Sequence, residues 1–154
     1  ERWGVIGGPL QGSVFAIASN GTTLYVGGKF NQFVSTVFNG VALYDGTQWH
    51  PLPSATGVGV EGGDVQAIAV SGGFVYVGGS FVRAGGTEAK YIARYDGERW
   101  SAVGEVDGTV LSLAAAGGGL LFAGGTFLSA GGTFVGGVAL YREVDGGGIG
   151  QWEA

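Results

Sequence analysis

Short apolar runs recur along the chain, and clusters of glycine, asparagine and aspartate separate them. Short runs bounded by such turn-forming residues are typical of β-strands. Extended helices are disfavoured because glycine interrupts the chain throughout, and each glycine destabilises a helix interior by about 1 kcal/mol relative to alanine. Continuous apolar runs such as residues 15–18 and 24–26 favour strands that are buried on both faces. The pattern predicts an all-β protein.

The strand pattern is repeated three times. Tryptophan recurs at intervals of about 50 residues, the scale at which a repeat defines the architecture, at Trp3, Trp49, Trp100 and Trp152. Four segments recur in the same order between these tryptophans: residues 14–18, 24–30, 41–46 and 49 in the first copy, 65–69, 75–81, 92–97 and 100 in the second, and 110–114, 121–127, 138–142 and 152 in the third. Each copy therefore predicts one four-stranded antiparallel unit, with boundaries at 14–53, 65–104 and 110–154.

Turn residues separate the predicted strands within each copy. The first two strands are joined by Asn20–Gly21, by Gly72–Gly73 and by a glycine run at 117–119. The last two are joined by Asp45–Gly46 and Asp96–Gly97, whereas the third copy has a longer loop over 142–148. These pairs predict type I′ hairpin turns, which need positive φ at both central residues.

A second class of glycine pair ends the second predicted strand, at Gly27–Gly28, Gly78–Gly79 and Gly124–Gly125. Glycine within a strand marks a β-bulge or a place where another backbone comes close. We therefore expect neighbouring units to come close at these pairs.

These motifs, together with the Ala-Gly-Gly-Thr segments at 84–87 and 130–133, resemble the glycine-rich repeats of the kelch and galactose-oxidase central-domain group. The resemblance spans the whole chain and implies a β-propeller, in which each blade is a four-stranded sheet. A β-solenoid or a sandwich is the alternative. Similar repeats occur in bacterial secreted proteins and fungal cortical marker proteins, which implies an extracellular or cell-surface location. Function is left open, because such propellers host enzymes, lectin-like modules and protein-binding hubs.

Three blades are fewer than the four to eight of a typical propeller. Residues 1–3 repeat the Glu-Arg-Trp of residues 98–100, so residues 1–13 are predicted to carry one extra outer strand of a preceding or shared blade. We expect the ring to be completed either by a second copy, giving a homodimer of six blades, or by further blades of a longer chain.

The composition of the chain excludes several kinds of partner and site. The 154 residues carry 7 Lys and Arg against 12 Asp and Glu, a net charge of −5, which disfavours binding to nucleic acid. The absence of cysteine excludes disulfides and thiolate metal sites. Residues 108–141 lack charge, but glycine pairs interrupt them and no membrane span is predicted.

No catalytic constellation is recognisable. His50 is the single histidine, and the carboxylates fall in turns and connections without a paired spacing or a calcium-binding run. No helix-forming segment follows the glycine pairs, which disfavours a phosphate loop. Copper chemistry of the galactose-oxidase kind is not implied, since its histidine ligands and cysteine have no counterparts. We therefore expect a non-enzymatic protein without cofactor or metal.

The first repeat departs from the other two in its loops, and loops are where function is grafted onto a repeated scaffold. It has Asn31, Gln32 and Phe33 where the others continue to Ala-Gly-Gly-Thr, and its connection to the next repeat, which begins at His50, is longer. These four residues are predicted to share one rim that takes a glycan or a protein ligand. Ordinary drift between repeats is the alternative, as is a surface role for His50.

Overall fold

The computed structural model describes residues 2–33, 35–144 and 148–153, with only the backbone of Phe33 and Ile149. Every regular element within these ranges is a β-strand, so the all-β prediction is confirmed. The described part of the chain contains no helix that could span a membrane.

Sheet 1 is built from the first repeat. Its strands and an adjoining hairpin are β1 (Gly12–Ser19), β2 (Leu24–Phe30), β3 (Gln32–Phe33), β4 (Thr36–Val37), β5 (Val41–Tyr44) and β6 (Trp49–Pro51). The antiparallel order is β1-β2-β5-β6, and β3 pairs with β4 separately.

Sheet 2 follows the same plan. Its segment contains β7 (Val60–Glu61), β8 (Val65–Ser71), β9 (Phe74–Gly79), β10 (Arg83–Ala84), β11 (Thr87–Glu88), β12 (Ile92–Tyr95) and β13 (Trp100–Ala102). The main sheet has the order β8-β9-β12-β13, while β7, β10 and β11 form a small sheet beside it.

Sheet 3 completes the described chain. Its segment contains β14 (Val110–Ala115), β15 (Leu120–Gly125), β16 (Ser129–Ala130), β17 (Thr133–Phe134), β18 (Val138–Val144) and β19 (Gly148–Glu153). The order β14-β15-β18-β19 repeats that of the other two. The three predicted antiparallel four-stranded units are thus confirmed.

The predicted extra strand at the N-terminus is not formed in the single chain. Residues 2–11 contain no strand, and Trp3 is fully exposed. An outer strand would have to pair with the third strand of a sheet. In all three sheets this strand (β5, β12 or β18) is already paired with the sheet's own fourth strand (β6, β13 or β19). Residue 1 lies outside the described residues.

Two apolar clusters join consecutive sheets. The one between sheets 1 and 2 is centred on Val41, Val65, Ile68 and Tyr95, with Tyr25 and Leu43 packed against it. The one between sheets 2 and 3 combines residues of both: Tyr76 and Ile92 with Val110, Leu121, Ala139 and Tyr141. Each sheet is therefore stabilised by burying apolar surface against its neighbour.

The prediction of type I′ turns is correct in only some places. Both residues have positive φ at Gly72–Gly73, as do all three glycines at 117–119. The glycine pairs of the Ala-Gly-Gly-Thr segments at 84–87 and 130–133, for which the sequence predicts no turn type, also have positive φ. At Asn20, Asp45 and Asp96 φ is not positive, so the prediction is wrong there. Their side-chain oxygens instead accept hydrogen bonds from the backbone N–H groups two and three residues later, which builds a wider turn around one glycine.

The second glycine of each strand-end pair lies opposite a β-bulge. The pairing register shifts between Val14 and Ala16 in sheet 1, and at the same place in the other two sheets. A Cβ added at Gly28 would collide with the carbonyl oxygen of Ser13 on the facing strand. The predicted bulge is confirmed, and it explains why these positions carry glycine.

Candidate interaction faces

The first glycine of each pair receives side chains from the next sheet. A Cβ added at Gly27 would collide with Val65 of sheet 2, and one at Gly78 would lie only 2.5 Å from Cγ1 of Val110 in sheet 3. Val65 and Val110 have no exposed surface. The same contact between a valine and a strand glycine is thus made twice. The sheets approach each other closely at these glycines, but the group that comes close is a valine side chain and not the predicted backbone.

Tryptophan side chains make a second repeated contact, with the segment that precedes each sheet. The indole Nε1 of Trp100 donates a hydrogen bond to the carbonyl oxygen of Leu52, and that of Trp152 to Val103, each at 2.9 Å. Trp49 donates in the same way to Gly8, at 3.3 Å. Each tryptophan therefore ties its sheet to the segment that precedes the sheet.

Tyrosines pack beside these tryptophans in every sheet, with centroids about 5 Å apart for Tyr44–Trp49, Tyr95–Trp100 and Tyr141–Trp152. The repeated aromatic residues therefore pack against each other within every sheet.

Among the described residues, a buried cluster of charged and polar side chains lies between sheets 2 and 3. The Tyr76 hydroxyl donates a hydrogen bond to Glu143, and the buried Arg94 guanidinium lies 3.8 Å from the same carboxylate. Arg94 also covers the Phe74 ring at 4.5 Å. Burial, followed by the hydrogen bond to Glu143, raises the pKa of Tyr76 above its ordinary value. Sequence reasoning missed this cluster, for which the signal was Arg94 in place of a repeated leucine.

The outer face of sheet 1 has no neighbour among the described residues at two of these repeated positions. We call it the sheet 1 face and define it by Val14 and Ile17 of β1. Val14 is 42% exposed and Ile17 66% exposed, against 0% and 7% for Val65 and Ile68 at the same positions of sheet 2. The apolar side chains that enter the preceding sheet elsewhere are thus left in solvent here.

The outer face of sheet 3 carries the glycine side of the valine–glycine contact. We call it the sheet 3 face and define it by Phe122, Gly124 and Val138. Val138 is 66% exposed, whereas Val41 and Ile92 at its position in the other sheets are completely buried. Near Gly124 the closest side chain belongs to its own sheet: a Cβ added there would lie 2.5 Å from Ser112 Oγ.

The predicted ligand-binding residues do not all come together. Asn31 and Gln32 line a polar groove of about 690 Å³ with Gln11, Lys29, Phe30 and Asp64. The side chain of Phe33 lies outside the described residues, and its backbone pairs with Thr36.

His50 is separated from that groove. It is paired across the sheet with Leu43, which is opposite Tyr25. Tyr25 lies six residues before Asn31, about 20 Å along an extended strand. The structure therefore does not place His50 on the rim with Asn31 and Gln32.

The side chain of His50 contacts an aspartate of the adjacent turn. Its Nε2 lies 2.6 Å from Oδ2 of Asp45. The hydroxyl of Thr47, backbone N–H groups of the turn and His50 together hold the pKa of Asp45 far below its usual value. Both side chains are about 40% exposed, so this arrangement supports the surface interpretation of His50.

The long connection after sheet 1 has a structural use. Its strand β7 pairs with β10 of the next repeat, and Ser54 Oγ donates a hydrogen bond to the carbonyl oxygen of Gly85 at 2.8 Å. The extra length therefore covers the hairpin of sheet 2.

Among residues 2–33, 35–144 and 148–153, no cluster of three or more histidine and carboxylate side chains could hold a metal ion. No known family profile matches the chain, and no curated protein shows significant sequence similarity to it. The kelch-like resemblance and the function therefore stay predictions.

Proposed function

We propose that the three sheets are consecutive blades of a β-propeller, and that the chain is a non-enzymatic interaction and assembly module of an extracellular or cell-surface protein. It completes its ring by association with a second copy or with further blades. The observation that carries this proposal is the repetition of one contact: valine meets strand glycine between sheets 1 and 2 and again between sheets 2 and 3.

The order of the sheets supports a radial arrangement. The first strands of successive sheets contact one another, β1 with β8 and β8 with β14. Each sheet packs by its faces on the next. Stacking of four-stranded sheets in this way is the principle of the propeller, and it accounts for strands that are apolar on both faces.

The exposed ends support assembly. A stack of repeats normally ends in polar capping surfaces that keep it soluble. Here Ile17 and Val138, at the two ends, are each 66% exposed. Such apolar surface favours association.

The mass of the chain in solution tests this proposal. Sedimentation equilibrium over a wide concentration range is expected to give a particle heavier than the 15.5 kDa of one chain. A single-chain mass at every concentration would contradict assembly by this chain alone.

A second candidate is a carbohydrate-binding propeller, favoured by the groove at Asn31 and Gln32. Amide groups, the Lys29 ammonium and the Asp64 carboxylate surround it, and such groups match the donors and acceptors of sugar hydroxyls. A glycan array with the natural chain and with Gln32→Ala tests it. Binding that the substitution leaves unchanged would contradict this role for the groove.

A further inference from the structure

We infer that the sheet 1 face of one copy docks onto the sheet 3 face of a second copy, head to tail, with Val14 and Ile17 seated over Gly124 and Val138. The two internal contacts provide the template, because the same repeat positions meet there. This inference rests on the proposed assembly function and specifies its partner.

The two faces are complementary in shape. Val65 and Ile68 approach Gly27 so closely that a Cβ would collide with both. Val14 and Ile17 offer the same side chains in solvent, and among the described residues no glycine receives them. Gly124 offers the glycine, and no side chain of a neighbouring sheet lies against it within the described residues. Each face therefore has what the other needs.

The contact is heterologous, because the two faces differ. Two copies of the sheet 1 face would bring valine and isoleucine against valine and isoleucine, without the glycines that make room. Heterologous contacts form closed rings when the rotation permits, and open filaments otherwise. Since propellers typically have four to eight blades, six is the multiple of three in that range, which favours two copies.

Ser112 sets the strength of this contact. It occupies the position of Ala16 and Ala67 in the other repeats, and its hydroxyl oxygen lies 2.5 Å from where a Cβ of Gly124 would be. Docking of Val14 requires this side chain to rotate away. Ser112→Ala is therefore expected to tighten the association by about threefold to tenfold, each tenfold being about 1.4 kcal/mol.

The test uses the whole chain with one face disabled at a time. Ile17→Asp blocks the sheet 1 face and Val138→Asp blocks the sheet 3 face. Both positions are exposed, so neither variant is expected to lose its fold in the single chain. Each carboxylate would be buried on docking, and we expect each variant alone to associate more than about 100-fold more weakly.

Mixing the two variants restores one intact contact, between the sheet 3 face of Ile17→Asp and the sheet 1 face of Val138→Asp. Sedimentation of an equimolar mixture is expected to show a two-chain species that neither variant forms alone. Phe134→Glu is the matched control. Glu88 has the same position in sheet 2 and is exposed although sheet 2 has a neighbouring sheet on both faces. This substitution should therefore leave association unchanged.

The outcomes separate this inference from the proposed function. If the natural chain has the mass of one chain throughout, assembly itself fails. If the natural chain associates but either aspartate variant does so equally well, or the mixture gives no two-chain species, the head-to-tail pairing is wrong and assembly by another surface stands.

Discussion

Gly78 and Gly124 occupy the same position in consecutive repeats, but their surroundings differ. Val110 of the next sheet fills the space over Gly78, whereas over Gly124 the nearest side chain is Ser112 of the same sheet. The valines show the same contrast, because Val65 is buried and Val14 is exposed. Identical residues thus make a core in the middle of the stack and a free apolar surface at its ends.

In this stack of repeats, the burial of a side chain therefore depends on whether a neighbouring sheet lies beside it. A repeat contributes to stability both through its own fold and through the interface with the next repeat. Substitutions at equivalent positions should therefore have unequal effects, and the size of the difference measures the interface.

The largest difference is expected between Gly78→Val and Gly124→Val. The first places a branched side chain against Val110, where a Cβ alone would come within 2.5 Å of Cγ1, and should cost about 3 kcal/mol of unfolding free energy. The second has only Ser112 to displace and should cost less than about 0.5 kcal/mol.

Urea denaturation of both glycine variants measures this difference, at a concentration low enough to keep the chains apart. Equal destabilisation of the two would show that the contact between sheets 2 and 3 does not require glycine.

Truncation of the isoleucines should give the next largest difference. Ile68→Ala removes a side chain that is only 7% exposed and is expected to cost about 3 kcal/mol, including the cavity left behind. Ile17→Ala removes one that is mostly exposed and should cost less than about 0.5 kcal/mol in the single chain. The comparison is made by the same denaturation experiment, and a large loss for Ile17→Ala in dilute solution would contradict its unpartnered position.

A smaller difference is expected between Tyr76→Phe and Tyr25→Phe. Tyr76 donates a hydrogen bond to Glu143, and hydrogen bonds to charged groups contribute about 1.5–3 kcal/mol. No described residue accepts a hydrogen bond from Tyr25, so its hydroxyl should be removed at little cost. Equal effects in urea denaturation would show that the polar cluster adds nothing to the contact between sheets 2 and 3.

The Tyr76 hydroxyl also makes stability depend on pH. Its pKa is raised in the folded protein, so the folded state holds the proton more tightly than the unfolded state. Its contribution to stability is complete below the ordinary pKa of tyrosine, near 10, and is lost as the pH rises above that value. Denaturation midpoints between pH 8 and 11 should fall less steeply for Tyr76→Phe than for the natural chain. An identical fall in both would contradict the raised pKa.

Much of the fold could be predicted because the repeats carry it. The strand pattern, the turn glycines and the tryptophans that recur about every 50 residues each predict the same four-stranded unit. All three units are observed. The Asn20 and Asp45 turns were mispredicted, because a dipeptide pattern does not reveal whether the side chain will cap the turn. The hydrogen bonds that the Asp45 carboxylate accepts from the backbone N–H groups of Thr47 and Gln48 decide the turn type there.

The candidate faces could not be predicted from residue types, since Val14 and Val65 belong to the same motif and differ only in what lies beside them. The repeat positions reveal an exposed face only when the structure shows which sheet, if any, each side chain points towards. The position of His50 could not be predicted for a related reason: its place in the sequence beside a long connection does not reveal that strand pairing keeps it level with Tyr25.

The most direct test of the account compares the methyl groups of Ile17 and Ile68. The chain has five isoleucines, so their δ1 methyl signals form a sparse carbon–proton spectrum that can be assigned by substitution. With rising protein concentration, the Ile17 signal should move upfield as the Phe122 ring of a second copy covers it, while the Ile68 signal stays constant because its neighbour is already in place. An Ile17 signal that stays constant at concentrations where the chain associates would show that the sheet 1 face is not covered in the assembly.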